Sequence, residues 1–490
     1  MNKMSVLTVI QDNTVKHITF EGTPLLSELL KEQGIYLESP CGGNGKCGKC
    51  AVKGEGQLSP AHAGEGTFLA CKTRLYGDAT VHIPSGGKFS ILSDSTSTHR
   101  VSARFKYGAA VDVGTTTVVL KLYSSCGECV GELSAVNPQR AFSADVIGRI
   151  SHSLNGEREK LKEIINDCIS HLLTSACGSA GIHNTDIDRM VITGNTAMLY
   201  LLTGKDPLSI SRAPFEADCL FGEWTDFLGI KTYITPCISA FVGGDTVSAL
   251  LASGMLCKNK TALLCDMGTN GEIALYKDGS LYVTSVAAGP AFEGGEISCG
   301  CSGVEGAVHR VWAEDGEIYS HTIGNLPAVG ICGSGLIDGV NAFLEEKYID
   351  TEGNVLRPLV IKAKGKNLCL EDKDIRAFQL AKSAVAAGIE CMLSRTETDA
   401  SDIKALYIAG AFGTKIDPQS AVNIGLFPKE LKRKIRFIGN GALSGATAML
   451  LDDSVCTEAE NTAAKAITVP LGGNDDFNNR FIQNMSFSRF

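Results

Sequence analysis

The chain is short of positive charge. Lys and Arg total 45 against 54 Asp and Glu, a formal net charge of -9, which excludes the broad basic face that a sequence-independent nucleic-acid binder needs. It also has no run of about 18 apolar residues, so no segment is expected to insert into a membrane as a helix. The first residues, MNKMSVLTVIQDNTVKHITF, alternate polar and apolar side chains. They do not build the apolar stretch of a secretory leader, and the expected location is cytoplasmic. Length and cysteine are plentiful by contrast. At 490 residues the chain is long enough for about three domains of ordinary size. Its 18 cysteines are expected to be mostly reduced in that setting, with any tight cluster reserved for a metal.

One such cluster stands near the N-terminus. Cys41, Cys47 and Cys50 lie in SPCGGNGKCGKC and Cys71 follows in FLACKTRL, a C-x5-C-x2-C-x20-C spacing. Gly42, Gly43, Gly45 and Gly48 give this loop access to positive φ and let backbone N–H groups approach cluster sulfides. A four-cysteine zinc site usually uses two separated C-x2-C knuckles, and only one is present; zinc and free thiols stay as alternatives. Around the loop, Val6 to Ile10 and Val15 to Phe20 alternate like hairpin strands about Gln11 to Thr14. A helix is predicted next, with Thr23 as N-cap, Pro24 in its first turn, Leu25, Leu26, Leu29 and Leu30 as its apolar face and Gly34 as its stop.

Residues 1 to 85 thus resemble a β-grasp 2Fe-2S ferredoxin, nearer to the x5 spacing of the adrenodoxin kind than to the x4 spacing of plant ferredoxins. The resemblance implies a 2Fe-2S cluster on Cys41, Cys47, Cys50 and Cys71, and one-electron transfer. The loop before the fourth cysteine, Gly54 to Gly66, is compact for such a domain.

Residues 86 to 107 contain a Ser-, Thr- and Gly-rich stretch and are predicted to be a linker. A repeat follows. AAVDVGTTTVVLKLYSSCGECVGEL, from Ala109, is matched by TALLCDMGTNGEIALYKDGSLYVTS, from Thr261, with Asp112 and Asp266 in equivalent places at an offset of 154 residues. That is one domain's length. Two lobes are therefore expected, 108–258 and 259–490, each opening on a strand, an Asp and a Gly/Thr turn. Gly114, Thr115, Thr116 and Thr117 in the first, and Gly268, Thr269, Asn270 and Gly271 in the second, would present N–H and hydroxyl donors to phosphate oxygens. Asp112 and Asp266 would hold Mg2+ through water. One such turn alone is as readily a structural hairpin; paired at the start of two repeats, the turns point to a nucleoside triphosphate. Asp245, in FVGGDTVSALLASG, is either a helix N-cap or a carboxylate that orients water or Mg2+.

The pair of turns resembles the phosphate motifs of the acetate-kinase, sugar-kinase, heat-shock-ATPase and actin superfamily. VITGNTAM (Val191 to Met198, with Gly194 and Asn195) is similar to its first connecting motif. LYIAGAFGTKID (Leu406 to Asp417, with Gly410, Ala411 and Gly413) is similar to its adenosine motif, and GNGALSGA (Gly439 to Ala446) to its second connecting motif. Gly194, Gly410 and Gly413 could equally be packing glycines. The resemblance implies an α/β and α+β chain: the ferredoxin-like domain followed by a two-lobed actin/hexokinase-like (ribonuclease H-like) ATPase body. ATP and Mg2+ are its ligands, and Asp112, Asp245 and Asp266 its catalytic carboxylates.

A ferredoxin fused to such a body, together with VNPQRAFSADVIGRI (Val136 to Ile150), SVAAGPAFEGGEISCG (Ser285 to Gly300), GICGSGLIDGV (Gly330 to Val340) and DIRAFQLAKSAVAAGI (Asp374 to Ile389), resembles one family along essentially the whole chain: the reductive activators of corrinoid proteins. This implies ATP-dependent reduction of a Co(II) corrinoid protein to Co(I), with a corrinoid protein of a methyltransferase-type system and a low-potential electron donor as partners, and a homodimer allowed for. Neither nucleic acid nor membrane is expected as a partner. Longer family members carry a middle domain, which is expected to be absent here. Two other readings stand beside this one: an ATP-gated iron-sulfur carrier for another low-potential acceptor, and a redox-regulated small-molecule kinase. Cys299, Cys301 and Cys332, and the pair Cys126 and Cys129, read as extra thiols.

Overall fold

The computed structural model describes residues 4–11, 14–33, 35, 37, 45, 50–60, 62–64, 66–83, 101–258, 260–410, 416–473 and 475–487. Cys41, Cys47, Ala411 and Gly413, and most of the expected linker, lie outside them.

The N-terminal module is a six-stranded sheet in the order β2-β1-β6-β3-β5-β4. Its strands are β1 (Ser5–Gln11), β2 (Thr14–Phe20), β3 (Ala51–Leu58), β4 (His62–Gly64), β5 (Thr67–Leu69) and β6 (Leu75–His82), and α1 (Leu26–Glu32) crosses it. Alternation puts Leu7, Val9, Ile18 and Phe20 on the face that meets Leu26, Leu29 and Leu30 of α1. The N-cap of α1 is Leu25 and makes no side-chain cap hydrogen bond, so Thr23 does not cap it. Leu25 instead forms an isolated bridge with Arg74, whose guanidinium donates to the Thr23 carbonyl at 2.9 Å.

The body carries the repeat. Its first sheet runs β11-β12-β10-β7-β8-β9 and its second β22-β21-β13-β14-β15-β23. The first contains β7 (Tyr107–Val113), β8 (Thr117–Ser124), β9 (Cys129–Val136), β10 (Ile187–Gly194), β11 (Glu223–Phe227) and β12 (Ile230–Ile234), with α2 (Val146–His152), α3 (Arg158–Ala180), α4 (Thr196–Thr203), α5 (Leu208–Ser211) and α6 (Gly244–Ser253) around it. The second contains β13 (Ala262–Met267), β14 (Gly271–Lys277), β15 (Ser280–Val286), β21 (Ala405–Ala409), β22 (Ile435–Gly439) and β23 (Ile467–Thr468). Between β15 and β21 come a small sheet of β16 (Ala307–Glu314), β17 (Glu317–Thr322) and β18 (Gly330–Ile331), the hairpin β19 (Leu359–Ile361) and β20 (Leu368–Leu370), and helices α7 (Gly333–Glu345) and α8 (Asp372–Arg395). α9 (Pro418–Asn423), α10 (Gly441–Leu451), α11 (Asp453–Lys465) and α12 (Asp475–Gln483) complete the chain. In each lobe the leading strand pairs antiparallel with its hairpin partner and parallel with the next central strand: β7 with β8 and β10, β13 with β14 and β21.

One apolar core is shared by both lobes, joining Ala110 and Val191 of the first sheet to Leu264 and Tyr407 of the second through Ala249 of α6 and Ala446 of α10. Small residues let these two helices touch. A Cβ on Gly445 would lie 2.0 Å from the Ser248 carbonyl oxygen, and one on Gly441 3.0 Å from the Ala249 Cβ. Residues 101–105 belong to this core and not to a linker. Ala103 and Phe105 are buried in it, and the N–H groups of Ser102 and Ala103 both donate to the Leu451 carbonyl at 2.9 Å. The N-terminal module meets the first lobe at Lys31, whose ammonium lies 3.3 Å from the Phe142 ring centroid and 3.7 Å from Glu157 Oε1.

Candidate functional site

In the N-terminal module, the β3–β5 ladder pairs Ala51 with Leu69 and continues as an Ala70 N–H to Cys50 carbonyl bond of 3.1 Å. That register brings the buried Cys50 and Cys71 side chains together, Sγ to Sγ 3.2 Å. This is far beyond a disulfide bond of about 2.05 Å. It is shorter than the roughly 3.8 Å of two thiolates on one tetrahedral metal with bonds of about 2.3 Å, and a small outward shift of the side chains would reach that spacing. Two of the four cysteines expected as ligands are thus side by side in the described residues.

In the body, both Gly/Thr turns open into one cavity between the lobes. Its lining includes Asp112, Gly114, Thr115, Thr116 and Thr117 from the first turn, Asp266, Gly268, Thr269 and Asn270 from the second, and Asn195, Asp245 and Gly410. The first turn is closed by a Gly114 N–H to Thr117 carbonyl bond of 3.0 Å. A Cβ on Gly114 would sit 2.8 Å from that carbonyl oxygen, so glycine is required there. The remaining carbonyls of the turn are held from behind. The buried Arg149 donates to Thr115 O at 2.6 Å, Asn137 Nδ2 to Gly114 O at 2.8 Å, and the Asn137 N–H to Thr116 O at 2.9 Å. Asn195 caps α4 by accepting from the Met198 N–H at 2.9 Å and donates to the Thr115 hydroxyl at 3.1 Å. Gly410 has φ of +108°, and a Cβ on it would lie 2.7 Å from the Met267 carbonyl oxygen.

Two expected contacts are placed otherwise. Neither Gly194 nor Gly271 is among the cavity's lining residues. A Cβ on Gly194 would meet Val113 O at 2.7 Å, and one on Gly271 would meet Val286 Cγ2 at 3.0 Å and Val385 Cγ2 at 3.3 Å. Both glycines serve close packing. Asp245 does line the cavity, but it is not the N-cap of α6. Gly243 holds that place and Asp245 stands in the first turn, its Oδ1 accepting from the Thr246 N–H at 2.7 Å.

Also lining the cavity are Glu272, Phe292, Asn440 of the second connecting motif, the extra thiols Cys301 and Cys332, and Glu293, whose place after the Gly-Pro turn suits either a ribose or base contact or a helix cap. Asn440 caps α10 by accepting from the Leu443 N–H at 2.8 Å, and reaches across the cleft to donate to Asp112 Oδ2 at 2.9 Å. Glu272 stands directly opposite Asp266 on the β13–β14 ladder, a placement implied by the strand alternation that follows the second turn.

The cavity is thus lined by five carboxylates, Asp112, Asp245, Asp266, Glu272 and Glu293, and by no Lys, Arg or His among the described residues. Burial raises Asp112 to about 7, with the charge of Asp245 adding and the Asn440 hydrogen bond opposing. Burial, then Asp245, Asp112 and Glu293, raise Asp266 to about 7. Burial raises Asp245 to about 6 against the Thr246 hydrogen bonds, and holds Glu272 well above the usual carboxylate range, with Asp245 and Asp266 adding. Such a wall repels a bare polyphosphate and accepts one whose charge a divalent cation has offset. Among the described residues no three His, Cys, Asp or Glu side chains are grouped to hold a metal directly. Mg2+ taken up through phosphate oxygens and waters, with carboxylates behind the waters, would offset the charge of this wall.

Family models match along the chain: a 2Fe-2S iron-sulfur cluster binding domain over 10–76, the RACo middle region over 107–258, and the C-terminal domain of RACo, the ASKHA domain, over 260–489. The family's middle region therefore corresponds to the first lobe, and the expectation that a middle domain is absent gives way to that match. The corrinoid activation enzyme RamQ of Eubacterium limosum is 36% identical over 384 residues, covering 70% of this chain and 64% of that protein. The [Co(II) methylated amine-specific corrinoid protein] reductase of Methanosarcina barkeri is 25% identical over 328 residues, covering 62% of this chain and 60% of that protein. The chain thus spans less than two thirds of the length of these two relatives. A solved reductive activator for corrinoid, iron-sulfur protein superposes with a TM-score of 0.74 at 25% identity, covering 98% of each chain. Ferredoxin module, middle region and ASKHA domain occur here in one order, and the chain belongs to the RACo-type family of reductive activators of corrinoid proteins.

Proposed function

We propose that this protein uses ATP to drive the one-electron reduction of a Co(II) corrinoid protein to Co(I). The observation that carries the reading is the single carboxylate-lined cavity onto which the phosphate turns of both lobes open, in a chain that also brings Cys50 and Cys71 together in a ferredoxin module. A 2Fe-2S cluster held by Cys50 and Cys71, with Cys41 and Cys47 as the remaining expected ligands, would supply one-electron transfer.

The body's part is energetic. For one electron, each ~59 mV uphill corresponds to about 1.4 kcal/mol, so a lower-potential acceptor needs a coupled source of free energy. Thr115 to Thr117 and Thr269 to Asn270 bind the phosphates from opposite lobes, so nucleotide binding favours one lobe arrangement. A corrinoid protein with higher affinity for that arrangement is bound and released with the nucleotide cycle. Differential affinity for two states is all that such coupling requires. Asp112, Asp245 and Asp266 would hold a hydrated Mg2+, which would supply charge neutralisation at the phosphates, and they are placed to orient the water that attacks the terminal phosphate. A methyltransferase-type system as the corrinoid protein's source, a low-potential electron donor and a homodimeric assembly complete the proposal. No described helix is long and apolar enough to cross a membrane.

The test is phosphate release from MgATP by anaerobically purified protein, with and without a Co(II) corrinoid protein. Stimulation by the corrinoid protein supports the reading. A phosphorylated small molecule as the product, with no response to the corrinoid protein, would make the chain a kinase.

A further inference from the structure

One carboxylate joins the two phosphate turns. Glu293 Oε2 accepts the Thr116 hydroxyl at 2.7 Å and the Thr269 hydroxyl at 2.9 Å, so a single oxygen holds a donor from each lobe. The other oxygen, Oε1, lies 3.2 Å from where a Cβ on Gly268 would be, against the second turn itself. The carboxylate is held there by a stiff support. Glu293 ends the short helical stretch Pro290–Glu293 between Gly289 and Gly294, at φ of +78° and +77°. Phe292 beside it is buried edge-on to Phe378 at 5.7 Å between centroids, and the Gly289 N–H donates to the Thr269 carbonyl at 2.9 Å.

A threonine hydroxyl has one proton to donate. While Thr116 and Thr269 give theirs to Glu293, neither gives it to a phosphate oxygen. A carboxylate beside a triphosphate is also a like-charge contact, and no cation among the described residues lines the cavity to offset it. We propose that Glu293 is a specificity-determining residue that competes with the nucleotide's phosphates for the two turns. It ties the lobes together through Thr116 and Thr269 until a metal-neutralised polyphosphate takes over those hydroxyls. This rests on the nucleotide reading above. Its consequence is an affinity set below what the turns alone would give, together with discrimination against metal-free nucleotide.

The test is calorimetric binding of MgADP and of a non-hydrolysable MgATP analogue to the full chain, alongside kcat and KM for MgATP hydrolysis. The variants are Glu293→Gln, which keeps shape and loses charge, and Glu293→Ala. Loss of the competing charge-assisted hydrogen bonds should lower Kd and KM by about ten-fold. On a Thr116→Val/Thr269→Val background the same Glu293→Gln substitution should change Kd far less, because the hydroxyls in dispute are gone. A fall in kcat of about a hundred-fold at unchanged Kd would make Glu293 a group acting on the chemistry. Weaker binding would make it a direct nucleotide contact, and unchanged Kd and kcat would leave the bridge without effect. Each of these three overturns the inference while leaving nucleotide binding standing. No binding by the unaltered protein overturns the nucleotide reading itself.

Discussion

Asp112→Asn tests whether the acidic cleft is set up as its burial implies. Asp112 is raised from 3.8 to about 7, first by burial and then by the charge of Asp245. A carboxylate whose pKa is higher folded than unfolded binds more protons in the folded state between those two values. Stability therefore falls as pH rises from about 4 to about 7, and the loss is complete above the folded pKa. At about 1.36 kcal/mol per unit, a shift of roughly three units caps the loss at about 4 kcal/mol above pH 8, against about 2 kcal/mol at pH 5. Asn carries no charge to desolvate, and its amide oxygen can still accept from Asn440. Its removal of charge also relieves Asp266, which Asp112 helps to raise. Thermal unfolding in chelator without nucleotide, at pH 5 and at pH 8, should show Asp112→Asn more stable than the parent, with a gap that widens as pH rises. The variant should bind Mg-nucleotide poorly and not turn it over, the exchange of stability for activity expected at a strained site. A gap that stays constant, or one that favours the parent at pH 8, would refute the reasoning.

Further outcomes follow from other residues. Arg149→Met removes the 2.6 Å bond that pins the Thr115 carbonyl and leaves buried acceptors unpaired. Nucleotide Kd should rise about ten- to a hundred-fold with the fold retained, as read by calorimetry and circular dichroism. Cys71→Ser should abolish the visible absorption of the cluster and leave Mg-nucleotide affinity unchanged, since no described residue of the module lines the cavity; a parallel loss of nucleotide binding would count against modularity. Gly445→Leu puts a side chain where the Ser248 carbonyl oxygen already lies 2.0 Å from a Cβ. It should force α6 and α10 apart and destabilise the body by about 3 kcal/mol or more, measured by denaturant unfolding.

The parts of the site written in local sequence were legible, and those assembled by tertiary contact were not. A Gly/Thr turn after a buried strand constrains its own backbone, so the two turns and their Asp residues could be read at matching offsets, and both line the cavity. The order of the two body sheets repeats for the same reason: each copy of the pattern folds into the same hairpin and seeks the same parallel neighbour. Asn440 lies in the second connecting motif and Glu293 after the Gly-Pro turn, but the contacts these two and Arg149 make are not marked in sequence. The three residues act on turns 328, 177 and 34 residues away in sequence, distances that no local spacing reports. Glycine was the ambiguous letter. Gly114 and Gly410 are demanded by close approach and positive φ at the cavity, whereas Gly194 and Gly271 make room for neighbouring strands and helices, and the sequence writes all four alike. Thr23 misled because its cap role is displaced by the Leu25–Arg74 bridge, a contact made only once the sheet has formed.

The most direct test of the central claim is the appearance of Co(I) absorbance in an anaerobic mixture of this protein, a strong reductant and a Co(II) corrinoid protein, with and without MgATP. The account predicts Co(I) only when MgATP is present, and its loss in Cys50→Ser and in Asp112→Asn. Co(I) formed at the same rate without nucleotide, or equally well by the Cys50→Ser variant, would contradict it.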